Sequence, residues 1–292
     1  MTNDTDQTIQ LHDGRRLGYA RYGNPDGVPV FYFTGGNSSR LEGLWFKEAA
    51  RQYNIDLIVP DRPGFGLSDF QPGRQFLDWP EDVAQLADSL GIQKFAVFGL
   101  SGGSPHVAAV SYKLPERVTR AAIVSGVAPP EMPNRFKGMW PPVRMIFFTA
   151  RYLPALNRMA LKGMGSFYAD KEQMQKRMKQ ALPAPDVALI EARPEVIDIF
   201  SAAAREAHRN GLEGDAWEWR LYVHPWGFDL GEVQTEIGLW YGQFDQNAPV
   251  GMGYYLDEQF PNSHLTVVQD GGHFSTINNH IGEIFEFLAK SR

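Results

Sequence analysis

The sequence predicts a doubly wound, mostly parallel eight-stranded α/β sheet with a block of helices inserted after the sixth strand. Three observations lead there. Up to Val124, short runs of β-branched and aromatic residues alternate with helix-compatible stretches, the rhythm of a sheet covered on both faces. From about Pro130 to Trp226 no convincing strand occurs. The rhythm then resumes for two more strands. The expected division is a core of residues 1–129 and 227–292 and a helical unit of residues 130–226.

Taken in order, Thr8 to Leu11 and Arg16 to Tyr22 flank an Asp13-Gly14 turn and read as a hairpin. Val28 to Phe33 is a buried-type strand that runs into Thr34-Gly35-Gly36-Asn37-Ser38-Ser39. Leu41 to Tyr53 is compatible with a helix, and Ile55 to Val59 is the next strand. It enters a loop dense in Pro and Gly, Pro60 to Asp69. Asp78 followed by Glu81 has the spacing of a capping box. Val83, Leu86, Ala87 and Leu90 then repeat at helical period. A strand ending near Leu100, a helix from Gly103 to Leu114 and a strand from Val118 to Val124 follow. In the insertion, helices are expected around Val143 to Leu161, Lys171 to Leu182 and Glu195 to Asn210. After it come a strand from Ile237 to Tyr241, a helix from Val250 to Phe260, a strand from Leu265 to Val268 and a helix from Ile277 to Leu288.

The 292 residues are 43% hydrophobic and 21% charged, an ordinary globular balance that argues against disorder. A net charge of −6 with no long basic run gives little support to nucleic acid or an anionic membrane surface as partner. With no cysteine, disulfides, thiolate metal sites and a cysteine nucleophile are excluded. The polar, acidic start from Met1 to Gln7 has no signal-like segment, and no apolar stretch is long enough to span a bilayer. A soluble cytoplasmic protein is the expectation.

The chemistry centres on Gly99-Leu100-Ser101-Gly102-Gly103, which lies where a strand must turn at once into a helix. Glycines around the serine leave room for the corner, and the turn exposes the hydroxyl beside the free amides of the helix start. Ser101 is therefore the candidate nucleophile. A serine needs a base, and the base needs an acid to hold its tautomer. In a parallel sheet both should follow later strands. His273 in Asp270-Gly271-Gly272-His273-Phe274 and Asp245 in Gly242-Gln243-Phe244-Asp245 meet that requirement. His12, His208, His224, His264 and His280 fall in turns, helices or strand edges and read as structural. His106, one turn past the serine, is a weaker candidate for a pocket wall. The oxyanion hole is assigned to the amides of Gly102 and Gly36, and Gly35 is a candidate for the substrate pocket. Asp61, Arg62 and Asp69 read as a salt-bridged structural turn. No residue pattern suggests a metal or a cofactor, and none is expected.

With Ser101, Asp245 and His273 in that chain order, the sequence resembles the α/β-hydrolase family outside the insertion. Asp61-Arg62-Pro63-Gly64-Phe65-Gly66-Leu67-Ser68 and Gly272-His273-Phe274 carry much of the likeness. The resemblance implies that the insertion is a cap over the active site. It departs at Thr34-Gly35, where the family usually has His-Gly, and at Asn37-Ser38, commonly Pro-Gly. The serine argues against dehalogenase and epoxide hydrolase activity, which use aspartate at that position in this fold.

The insertion is rich in Met and aromatics, among them Met132, Trp140, Phe147, Phe148, Met164, Phe167 and Tyr168. Most should pack the cap itself, while Trp140, Phe148 and Phe274 are candidates for a mostly apolar acyl pocket, with Trp217, Trp219, Tyr222 and Trp226 walling the same cavity. No arginine cluster marks it for phosphate or polycarboxylate. The expected activity is a serine esterase, a carboxylic ester hydrolase acting on a small apolar acyl substrate. Carbon–carbon bond hydrolysis, perhydrolysis and a slow-turnover ligand receptor share the same parts. The sequence leaves a homodimer open.

Overall fold

The computed structural model describes residues 5–169 and 171–290; the side chains of Met164, Phe167 and Tyr168 lie outside the described ones. The strands are β1 (Gln7–Gln10), β2 (Arg16–Gly23), β3 (Val28–Phe33), β4 (Ile55–Pro60), β5 (Phe95–Leu100), β6 (Val118–Val124), β7 (Ile237–Gly242) and β8 (Ser263–Val268). They form one sheet in the order β1-β2-β4-β3-β5-β6-β7-β8. β1 and β2 pair antiparallel and β2 pairs antiparallel with β4, while every other pairing is parallel. The winding reverses between β3 and β5. Loops leaving the carboxyl ends of those two strands diverge there and open a crevice.

The core helices are α1 (Lys47–Gln52), α2 (Trp79–Ser89), α3 (Ser104–Lys113), and, after the insertion, α10 (Val250–Gln259) and α11 (His273–Ala289). Alternation along the strands divides the core into two layers. Phe31, Phe33 and Val97 face the layer holding Trp79, Val83 and Leu86 of α2 and Val107 to Val110 of α3. Val30, Tyr32, Ala96 and Phe98 face the layer holding Ala50 of α1 and Ile284, Phe285 and Leu288 of α11. Each large side chain buried in these layers contributes roughly 1.5–3 kcal/mol.

Between β6 and β7 lie α4 (Pro141–Tyr152), α5 (Pro154–Ala169), α6 (Lys171–Ala181), α7 (Ala184–Ala192), α8 (Glu195–Ala207) and α9 (Glu213–Tyr222). No strand interrupts them among the described residues. Pro154 divides the helix expected over Val143 to Leu161 into α4 and α5, because a proline cannot donate its amide and crowds the preceding turn. α7 and α9 were not foreseen; two of α7's nine residues are Ala184 and Pro185 after Pro183, and α9 mixes aromatic and charged residues without clear periodicity.

Three local expectations need correction. Leu41 to Tyr53 is not one helix: Arg40–Phe46 is a 3-10 segment and α1 begins only at Lys47. The capping box is set one turn earlier than Asp78 with Glu81. Asp78 accepts from the Gln75 amide (2.7 Å) around a 3-10 turn, and Glu81 accepts instead from Gln85 (2.9 Å). The last helix begins at His273 itself, four residues before Ile277.

Candidate active site

β5 delivers Ser101 at the crevice with φ 53°, a left-handed conformation that non-glycine residues adopt at a cost and keep where the surroundings enforce it. The enforcement is visible behind the serine. A Cβ on Gly103 would lie 2.2 Å from the Phe33 carbonyl oxygen, so the turn and β3 could not approach as they do with any other residue. A Cβ on Gly102 would lie 2.2 Å from the Tyr222 hydroxyl and 3.2 Å from the amide nitrogen of Gly36. The two residues assigned to the oxyanion hole are therefore neighbours. Gly35 sits against Ser101, with 3.8 Å from its added Cβ to the serine Cβ, and the Gly36 position faces open space.

The loop after β3, which has Thr34 where the family's histidine usually stands, is held by a buried arginine. Arg62, fully buried, donates to the carbonyls of Thr34 (2.5 Å) and Gly35 (2.8 Å). Its charge is met by Glu218 at 3.1 Å, and Arg74 pairs with the same carboxylate. Burial alone would push Glu218 up, but the Arg74 and Arg62 guanidiniums bring it down to about 2. Tyr222 completes the network, its hydroxyl standing 3.0 Å from both the Gly102 carbonyl and Glu218 Oε1. Burial first, then the Glu218 carboxylate, hold that phenol well above its ordinary value, so it stays a donor. Asn37 takes a left-handed turn at φ 56°, which asparagine tolerates better than most residues.

On the other side of Ser101, His273 Nδ1 lies 2.8 Å from Asp245 Oδ2, both buried. Asp245 Oδ1 accepts from the amides of Asn247 (2.8 Å) and Ala248 (2.9 Å), which fixes the carboxylate. Burial by itself would lower the His273 pKa; the Asp245 charge and hydrogen bond, with Asp186 and Glu42 farther out, more than offset it and raise it. Nε2 is left as the nitrogen that can exchange a proton. Among the described residues it makes no hydrogen bond to the Ser101 hydroxyl, a contact that in an empty site commonly tightens only with substrate.

Asp186, on α7 of the insertion and fully buried, is a residue that sequence reasoning missed. Its Oδ2 accepts from the His273 amide (2.8 Å), and its Oδ1 accepts from Phe274 N (3.1 Å), Ser275 N (2.8 Å) and Ser275 Oγ (2.7 Å). It thus caps α11, the helix whose first residue is the histidine. Eighty-seven residues separate Asp186 from His273, so no local pattern could show the pairing.

The other predicted residues are placed as follows. His106 is wholly enclosed by Phe33, Phe76 and Trp79. Burial brings its pKa to about 3, against the pull of Glu218 at 3.3 Å, so it is a neutral core histidine and faces no cleft. Phe274 packs on Phe200 and Trp45. Trp140 leads into α4, and its amide donates to Gln246 O (2.8 Å), tying the insertion to the Asp245 loop. Phe148 is half exposed on α4. Trp219, Tyr222 and Trp226 are buried in the core, and only Tyr222 touches the elbow. Asp61, Arg62 and Asp69 are structural ion pairs, with Arg40, Glu218 and Arg16 respectively.

Two clefts adjoin the insertion. One, of about 790 Å³, is lined by Met132, Phe136, Phe147, Phe148 and Tyr152 together with Arg135, Lys137, Arg144 and Arg151. The other, of about 520 Å³, includes Arg135, Phe244 and Asp245. Neither is lined by Ser101 or Gly36. Three arginines and a lysine line the first cleft beside the single carboxylate of Glu131. Among the described residues no group of three or more His, Asp or Glu is arranged to hold a metal.

Residues 28–279 match the family model of the alpha/beta hydrolase fold, and the chain belongs to that family. It is 26% identical over 287 residues to a proline iminopeptidase of Neisseria meningitidis serogroup B, covering 90% of this chain and 88% of that protein. It is 24% identical over 226 residues to a 2-hydroxymuconate semialdehyde hydrolase of Pseudomonas putida, covering 76% and 72%. The enol-lactonase of Burkholderia xenovorans LB400 superposes with a TM-score of 0.71 at 17% identity, covering 97% of this chain and all of that one.

Proposed function

We propose that this α/β hydrolase is a cofactor-independent serine hydrolase of esters or related acyl compounds that have an apolar portion. Residues 130–226 serve as the cap and the rest as the core. His273 Nε2 takes the proton of Ser101 as Oγ attacks the acyl carbon. The Gly102 and Gly36 amides hold the oxyanion. His273 then protonates the leaving alcohol, and water repeats the sequence to release the acid. Asp245 orients the His273 ring through Nδ1 and stabilises the imidazolium. The observation that carries this reading is the buried 2.8 Å Asp245–His273 pair on the same sheet edge as a serine held at φ 53°.

A slow-turnover ligand receptor built from the same parts is the reading that sustained turnover separates from this one.

Fluorophosphonate labelling read by intact mass, beside turnover of p-nitrophenyl esters of graded chain length, tests the proposal. A single adduct absent from Ser101→Ala, with steady multiple turnover, supports it. Full turnover in Ser101→Ala refutes the mechanism. One adduct without sustained turnover would favour the receptor.

A further inference from the structure

The net charge of −6 conceals an uneven distribution. From Pro141 to Ala169, which is α4 and α5, the chain carries Arg144, Arg151, Arg158 and Lys162 and no Asp or Glu. The same stretch holds six of the eight large hydrophobic side chains that stand exposed among the described residues: Met145, Phe148, Tyr152, Leu153, Leu156 and Met159. The exposure is large, 66% at Tyr152 and 71% at Met159. The other two, Phe244 and Tyr254, line the adjoining smaller cleft.

Their arrangement is ordered. At about 100° per residue, Met145, Phe148 and Tyr152 fall within an arc of about 60° on α4. Arg144 and Arg151 fall together along one border of that arc. Neither arginine has a carboxylate partner among the described residues, whereas Arg158 pairs with Glu213. Apolar side chains bordered by long cationic ones suit the boundary of a bilayer, where the chains enter the acyl region and the cations remain among the headgroups. A rigid acidic protein would have to match each exposed side chain, whereas a fluid surface adapts to them. The 790 Å³ cleft shares Arg144, Phe148, Arg151 and Tyr152 with this face, so an amphiphile lying in the surface would meet its mouth directly.

We propose that α4 and α5 of the insertion dock the protein on an anionic lipid surface, with Met145, Phe148, Tyr152, Leu156 and Met159 entering the interface and Arg144 and Arg151 on the headgroups. This is peripheral attachment: among the described residues no helix is long and apolar enough to cross a membrane. The proposal does not depend on the catalytic reading.

The test is co-sedimentation of the full chain with vesicles of equal parts phosphatidylglycerol and phosphatidylcholine, and with phosphatidylcholine alone. Binding is expected to the anionic vesicles, and roughly 0.5 M salt should weaken it. Arg144→Gln with Arg151→Gln should weaken it about 25-fold, near fivefold per cation. Met145→Asp with Met159→Asp should abolish it. These side chains are exposed, so an unchanged thermal melt will show that the fold is kept. Equal binding to neutral vesicles, no binding at low salt, or binding indifferent to both double variants would overturn the proposal. So would a solution dimer that Met159→Asp dissociates in a chain that never binds vesicles, which would assign the face to a second copy.

Discussion

Asp186→Asn tests whether the insertion holds His273, the proposed base, in place. The carboxylate accepts four hydrogen bonds inside the protein, three from Oδ1 and one from Oδ2. An amide can keep its oxygen toward Phe274 and Ser275, but its nitrogen then confronts the His273 N–H, donor against donor. That leaves one buried donor unsatisfied, at about 1–3 kcal/mol, and removes the charge that strengthens the other three. It also removes the negative group at the start of α11, a further effect of about 0.3–2 kcal/mol. The total is about 1–5 kcal/mol, or a fall in Tm of roughly 3–10 °C for a chain of this size. A second readout separates positioning from simple capping. Asp186 helps to raise the His273 pKa, so its loss should move the acid limb of kcat/KM to lower pH while kcat falls more than KM rises. Calorimetry and a pH series with p-nitrophenyl acetate measure both. A variant with an unchanged Tm and an unmoved acid limb would refute the reasoning.

In the parent protein, His273 must be neutral to act as a base, and its raised pKa places the acid limb of kcat/KM above the ordinary histidine value of 6.5. Because protonation is favoured by folding, this group's contribution to stability is full below 6.5 and fades as pH rises through the raised value; a urea titration across that window checks the sign. Gly102→Ala puts a Cβ 2.2 Å from the Tyr222 oxygen. It should lower kcat by about 100- to 1,000-fold through a displaced oxyanion amide, and an unaffected kcat would remove Gly102 from that role. Arg62→Met strips the Thr34 and Gly35 carbonyls of their donor and leaves one less cation on Glu218. A loss of about 3–5 kcal/mol, read by chemical denaturation, is expected together with lower activity.

The sequence by itself determined whatever depends on local pattern. Alternating strands and helices specified the sheet, because burying both faces demands that rhythm. Gly99-Leu100-Ser101-Gly102-Gly103 announced a tight corner, and only Asp245 and His273 stood after the right strands to serve the serine. The interruption after Val124 located the helical insertion, though Pro154 and the weakly periodic α7 and α9 blurred its internal divisions. Tertiary structure alone decided what joins residues far apart in the chain. Arg62 holds the loop after β3 by reaching the Thr34 and Gly35 carbonyls. Asp186 came from the insertion to cap the helix of His273. His106 turned from a pocket candidate into a core residue. A periodic pattern records only which face of an element is buried. Which charged or polar group meets it there depends on packing between elements, and that is set by shape and desolvation over the whole molecule.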